Sequence, residues 1–291
     1  MKLEVRHTTT YRYGNPVTNS INEIRLTPRT NRSQSCHHHR LLVYPNVTLF
    51  SFEDYFGNRV HSFTLHHPHH ELVIESSFTI SKRDQVTPSW EPFVSLEKEL
   101  IARKETVYLD KYAEYLIPTN RTKMSELVQL FIDEHVDVME STSIFEFAKN
   151  LCKLIRDSFT YDPDATNVNT TLEEMLTLKR GVCQDFAHLM ITISRLKGIP
   201  TRYISGYHFV GDLNKEMKDF QHASHAWVEM HIPGRGWLGI DPTNDTIANW
   251  RYIKLAHGRD YNDIVPVKGV YTGTPLHEMD VHVDVRLLDE A

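Results

Sequence analysis

The chain has 291 residues with 40% hydrophobic and 24% charged side chains, which excludes a disordered chain and a coiled coil. Thirty-two basic against 38 acidic residues give a formal charge of −6, so no basic surface is available for a nucleic-acid role. No apolar run approaches the ~18 residues of a membrane span, and the start Met1-Lys2-Leu3-Glu4-Val5-Arg6-His7 lacks an apolar signal core, which predicts an unsecreted, cytoplasmic protein. At roughly 100–200 residues per domain, the length suggests two domains.

Residues 1–85 read as β. Leu3, Val5 and His7 alternate with Glu4 and Arg6. Further strands are expected at Leu41–Tyr44, Val47–Phe52 and Leu72–Ile80. Turn signals separate them at Tyr13-Gly14-Asn15-Pro16, Thr27-Pro28-Arg29, Tyr44-Pro45-Asn46 and Phe56-Gly57-Asn58. Short strands at this spacing predict an antiparallel β-sandwich-like domain over 1–88. The polar, proline-bearing stretch Thr87–Pro92 marks its boundary.

Residues 95–160 read as helical. Ser141-Thr142-Ser143 offers N-caps for a helix whose apolar residues are Ile144, Phe145, Ala148, Leu151, Cys152, Ile155 and Phe159. Thr171 with Glu174 fits a capping box. The next helix runs from Cys183 to Lys197 and is closed by Gly198 and Pro200, with Phe186, Leu189, Met190, Ile193 and Leu196 on its apolar face. The chain then turns to β at 202–210, 224–232 and 237–241, with a polar, mobile loop expected at 211–221. The tail has strand-like Val281–Val285. The expected division is a core over 89–265 and a C-terminal strand segment over 266–291 that packs on one of the two domains.

The three cysteines, Cys36, Cys152 and Cys183, are odd in number and widely spaced. That argues for a reducing compartment rather than a disulfide framework. Cys183 lies in the first turn of its helix. Unpaired N–H groups and the positive end of the macrodipole favour a thiolate there, unless Asp185 opposes it rather than serving as a cap. Cys152 lies mid-helix on an apolar face and reads as packing. A cysteine nucleophile needs a base. His188, five residues on, points away from Cys183. In Ser224–Ile232 the even positions are Ala226, Val228, Met230 and Ile232, and the odd ones are His225, Trp227, Glu229 and His231. Period-2 alternation places His225 opposite the apolar face, with His222 facing the other way. In the next strand Leu238 and Ile240 are even, while Trp237, Gly239 and Asp241 are odd. If the hairpin through Pro233-Gly234-Arg235-Gly236 pairs odd with odd, His225 and Asp241 share a face, which a three- or five-residue loop permits. Gly239 leaves room beside them. A thiolate that attacks an acyl carbon, an imidazolium that protonates the leaving amine and a carboxylate that orients the ring would follow.

At these residues the chain resembles the bacterial transglutaminase-like proteins. Gly181-Val182-Cys183-Gln184-Asp185-Phe186-Ala187-His188 is similar to their nucleophile motif, with Gly198–Tyr207 downstream. Ser224-His225-Ala226-Trp227-Val228-Glu229 resembles the histidine motif and Asp241-Pro242-Thr243-Asn244 the aspartate motif, at separations of 42 and 16 residues. Tyr161-Asp162-Pro163, Gly258-Arg259-Asp260-Tyr261, Arg25–Arg29 and Phe56-Gly57-Asn58 also match. The resemblance implies an α+β, papain-like (transglutaminase-like) core. It also implies Cys183 as nucleophile, His225 as general base and acid, and Asp241 as orienting carboxylate. A cysteine peptidase or amidase acting on a peptide or protein substrate is expected, with protein-glutamine crosslinking or a non-catalytic binding module as rivals. The backbone N–H of Cys183 and either Gln184 or Tyr161 are the oxyanion donors to consider. No cofactor is expected, nor any membrane partner. The clusters His37-His38-His39 and His66-His67-Pro68-His69-His70, with Cys36 nearby, lack the spacing of a structural zinc site, so no metal is expected either.

Overall fold

The computed structural model describes residues 1–83, 96–135, 138, 140, 141, 143–210, 224–274 and 277–288. The expected boundary at Thr87–Pro92, Thr142 as a cap candidate, the loop 211–221 and His222 lie outside the described residues.

The N-terminal sheet is built on one long strand, β1 (Lys2–Ile24). The turn expected at Tyr13–Pro16 is not formed. The strand runs through it, and its register on β5 (His69–Lys82) shifts between Arg12 and Val17. A bulge absorbs the turn residues because both flanks stay paired. Below the shift, β1 pairs with β5 and with β14 (His277–Leu288). Above it, β1 pairs with β4 (Arg59–Leu65) and β13 (Val267–Thr272). Strands β2 (Gln34–Tyr44) and β3 (Phe50–Glu53) lie outside β5 and β4. The β3–β4 turn takes Gly57 at φ +73°, and Asp54 accepts from the N–H groups of Phe56 and Asn58.

The helices are α1 (Leu96–Ala102), α2 (Thr106–Lys111), α3 (Glu126–Asp133), α4 (Ile144–Ser158), α5 (Leu172–Leu178) and α6 (Cys183–Leu196). Ser143 caps α4 by accepting from Glu146 N–H, and the Thr171–Glu174 capping box opens α5. Helix α6 departs from its expected single apolar face. Every residue from Gln184 to Arg195 is buried, while Leu196 is 51% exposed. A helix enclosed on all sides is the centre of a core rather than its lid. Arg195 shows how a buried charge is tolerated there: its guanidinium donates to the carbonyls of Tyr115, Ile117, Thr201 and Arg259 and to Thr122 Oγ1.

The second sheet has the order β11 (Thr246–Ile247), β10 (Gly236–Asp241), β9 (Ser224–Ile232), β8 (Thr201–His208), β12 (Tyr252–Gly258). Strand β12 was not apparent in the sequence pattern. The even residues Ala226, Val228, Met230, Ile232, Leu238 and Ile240 pack with α4 and α6 in one core. The N-terminal sheet shares a second core with Tyr207, Phe209, Ile253 and Leu255. Two amides fasten β12 to that sheet. Gln34 donates to Lys254 O at 2.7 Å and accepts from Lys254 N–H at 3.0 Å. Asn58 does the same with His257 O and N–H, at 2.8 and 2.9 Å. Each amide stands in for a strand neighbour along the edge of the sheet.

Candidate active site

Cys183 is the first residue of α6 and is half-buried. Asp185 is spent on capping: its Oδ2 accepts from Val182 N–H at 2.9 Å and from Thr166 Oγ1 at 2.8 Å. Burial pushes its carboxyl above the ordinary value, against the pull of those two bonds. Its carboxylate is therefore held by the helix start rather than aimed at the sulfur.

The β9–β10 hairpin has a three-residue connection and runs in register from Gly236↔Ile232 to Ile240↔Val228, odd with odd. His225 and Asp241 meet accordingly: His225 Nε2 lies 2.8 Å from Asp241 Oδ2. The other ring nitrogen, Nδ1, is not used by Asp241, and Cys183 lines the same cavity as His225. The fold thus brings a thiol, an imidazole and a carboxylate to one site. Burial alone would lower the His225 pKa. The Asp241 charge and hydrogen bond, together with Cys183, overcome it and carry the ring up to about 10.

Asp241 is fully buried. Its Oδ2 also accepts from Asn244 Nδ2 and Tyr252 OH, each at 2.7 Å, and its Oδ1 accepts from Thr243 N–H at 2.9 Å. Burial raises the Asp241 pKa, but the His225 charge and these bonds hold it down at about 2. Cys152 is fully buried and donates its thiol to Asp241 O at 3.1 Å, so the cysteine read as packing also holds the carboxylate's backbone. Tyr252 comes from the strand the sequence pattern did not reveal. Only its position after the aspartate motif could have pointed to it.

The face bearing His225 lies opposite the helices, yet it is covered. Trp227 is 2% exposed and packs with Ile204 and Tyr252. Gly206, opposite His225, makes this possible: a Cβ there would come within 2.0 Å of Ile253 O and 2.7 Å of the Trp227 ring. The room at Gly239 serves Ala248, 2.8 Å from a would-be Cβ, rather than the His–Asp pair. Glu229 accepts from Arg202 Nε at 2.7 Å and Lys254 Nζ at 2.8 Å. His231 is bonded by the hydroxyls of Tyr108 and Tyr112.

His188 is turned away from Cys183. It stacks on Tyr203 with centroids 5.0 Å apart and accepts from Tyr261 N–H. Burial takes its pKa down to about 3, so the ring is neutral. Gln184 donates to Val168 O at 3.4 Å. Tyr161 is 51% exposed and lines cavities of about 310 and 760 Å³ that meet at His225; Cys183 lines the smaller one. Burial, then the nearby Cys183 and Asp241, raise the Tyr161 pKa, which keeps its hydroxyl a donor.

Among the described residues one group has metal-binding types in reach of each other. Ligand atoms of His208, His225 and Asp241 lie within 4.8 Å of one another. Asp241 Oδ2 already takes three donors, one of them His225 Nε2. In the histidine-rich stretches, His39 bonds with Thr27 and Ser76, and His69 with Ser20 and His67 O.

Comparison with known proteins bears on the family and the fold. Residues 3–81 match the bacterial transglutaminase-like N-terminal region, and residues 134–242 match the transglutaminase-like superfamily. An uncharacterized protein of Mycobacterium leprae is 35% identical over 287 residues, 99% of both chains. A protein-glutamine gamma-glutamyltransferase of Pseudomonas aeruginosa is 35% identical over 89 residues, which are 30% of this chain and 13% of that protein. Among solved structures, one described as "a Putative Cysteine Protease from Cytophaga hutchinsonii" superposes with TM-score 0.76 at 23% identity, covering 100% of this chain and 92% of that one. The chain belongs to the transglutaminase-like superfamily and has its mixed α+β fold.

Proposed function

We propose that the protein is a cysteine-dependent amidase or peptidase that works through a Cys183 thioester. The observation that carries this reading is the His225–Asp241 pair, Nε2 to Oδ2 at 2.8 Å, on the wall of the cavity that Cys183 also lines. Cys183 gives its proton to His225 and attacks the amide carbonyl carbon. The C–N bond breaks, and the leaving amine takes the proton from His225. Water then attacks the thioester with His225 as base, releasing the acid and the thiol. Asp241 holds the ring and stabilises its charged form. The Cys183 N–H, an orphan of the first helical turn, and the Tyr161 hydroxyl donate to the oxyanion.

Hydrolysis is favoured because the cleft opens to solvent past half-exposed Tyr161, where water reaches the acceptor position. Crosslinking is the second reading, supported by the local likeness to the Pseudomonas aeruginosa glutamyltransferase. One assay separates them: ammonia release from a glutamine peptide with and without a primary amine, run beside a peptide-cleavage assay. The reading expects ammonia or a cleaved peptide without added amine, and neither from Cys183→Ala. Product formation that survives in Cys183→Ala would overturn it. Ammonia released only when amine is present would establish the crosslinking reading instead.

A further inference from the structure

The smaller cavity beside Cys183 has a wall that the catalytic strands do not supply. Strands β1 and β14 pair as Val5↔Val285, Thr9↔Val281 and Tyr11↔Met279, so their odd residues share one face. At one end of that face Leu3, Val5, Val283 and Val285 are buried in the core. At the other end His7, Thr9, Tyr11, Met279 and Val281 line the cavity that holds Cys183 and His225. There the apolar pattern continues without cover: Met279 is 57% and Val281 42% exposed. Val168, half-exposed across the cavity, adds to the patch. Among the described residues no Asp, Glu, Lys or Arg lines this cavity. His7 bonds through both ring nitrogens, to Tyr207 OH and Thr9 Oγ1, and burial takes its pKa down to about 4, so the wall is uncharged at neutral pH.

We propose that the uncovered end of the β1–β14 face is a specificity subsite that receives an uncharged, apolar or aromatic side chain adjoining the scissile amide. This rests on the reading of Cys183 as the nucleophile. A charged side chain seated on the β1–β14 wall would lose its water and find no counter-charge on that wall, whereas an apolar one covers the exposed Met279 and Val281 surface. At about 310 Å³ the cavity suits a side chain rather than a folded segment.

The test measures alkylation of Cys183, located by peptide mass spectrometry, and so does not depend on turnover. Three reagents share one warhead: chloroacetamide, its N-benzyl derivative and N-chloroacetylglycine, which carries a carboxylate. In each case an S–C bond forms, chloride leaves and His225 takes the thiol proton. The N-benzyl reagent is expected to label about ten-fold faster than chloroacetamide, and the carboxylate reagent slower than either. Val281→Asp should collapse the benzyl preference. Asp280→Lys, on the other face of β14, should keep it, and thermal melts should establish that both variants are folded. Equal rates for the three reagents, or a benzyl preference that persists in folded Val281→Asp, overturns the subsite. Selective labelling without turnover of any amide would instead overturn the enzymatic reading and leave the subsite standing.

Discussion

Asp241 concentrates the chemistry of the site in one buried carboxylate. Tyr252 and Asn244 each give its Oδ2 a short bond, and His225 gives the third. A hydrogen bond to a charged group is worth about 1.5–3 kcal/mol, so losing one raises the Asp241 pKa and loosens the carboxylate that orients the ring. Tyr252→Phe is expected to lower kcat roughly ten-fold and to move the acid limb of the pH–rate profile upward; an unshifted profile would show that Tyr252 only packs. Tyr161→Phe, as the loss of an oxyanion donor, should cost about 10²-fold in kcat with KM little changed. The ion pair also predicts a pH window for stability. Folding raises the His225 pKa from 6.5 to about 10, so its contribution is full below pH 6.5 and is lost as pH rises through about 10. Folding lowers the Asp241 pKa from 3.8 to about 2, so that contribution is full above 3.8 and is lost as pH falls through about 2. Urea unfolding of wild type against His225→Gln should give a stability difference that shrinks as pH climbs from 6.5 toward 10. A difference independent of pH over that range would contradict the pairing.

At the level of elements, the hairpin parity and the helix start brought three distant residues together. Both were legible in part in the sequence because they are local. Alternation gives the face a strand residue takes, and Gly181 before Cys183 marked the helix start. The sequence left the loop at three or five residues and the role of Asp185 open, and the structure has a three-residue loop and Asp185 as the cap on Val182 N–H. Non-local pairing was not legible. Strand β12 delivers Tyr252 from across β8, and nothing in its own seven residues announces a partner of Asp241. Tyr13–Pro16 carries turn residues, yet pairing on both flanks of β1 outweighs their local preference. The crowding under the site gives an element-scale prediction. Gly206→Ala would drive a methyl into Ile253 O and the Trp227 ring, so β12 must shift. A loss of about 1–3 kcal/mol in urea unfolding is expected, with reduced activity because Tyr252 rides on the same strand.

Across the whole molecule, the N-terminal sheet is joined to the catalytic strands by a common core and by the two amides on β12. Gln34→Ala leaves the Lys254 N–H and C=O without their partner, and Asn58→Ala does the same at His257. Each should cost about 1–3 kcal/mol, and unfolding should remain a single transition in wild type because the core is continuous. Two separated transitions by calorimetry would show that the sheets fold independently. The same junction explains why the N-terminal strands reach the thiol at all: β1, held against β8 through His7 and Tyr207, carries Thr9 and Tyr11 on to the cavity wall.

The most direct measurement is the intact mass of the protein after brief exposure to an activated acyl ester, followed by peptide mapping. The relay described here predicts one acyl group per chain, carried on Cys183, formed far more slowly in His225→Ala and absent in Cys183→Ala. An unmodified Cys183, or acylation spread equally over Cys36 and Cys183, would contradict it.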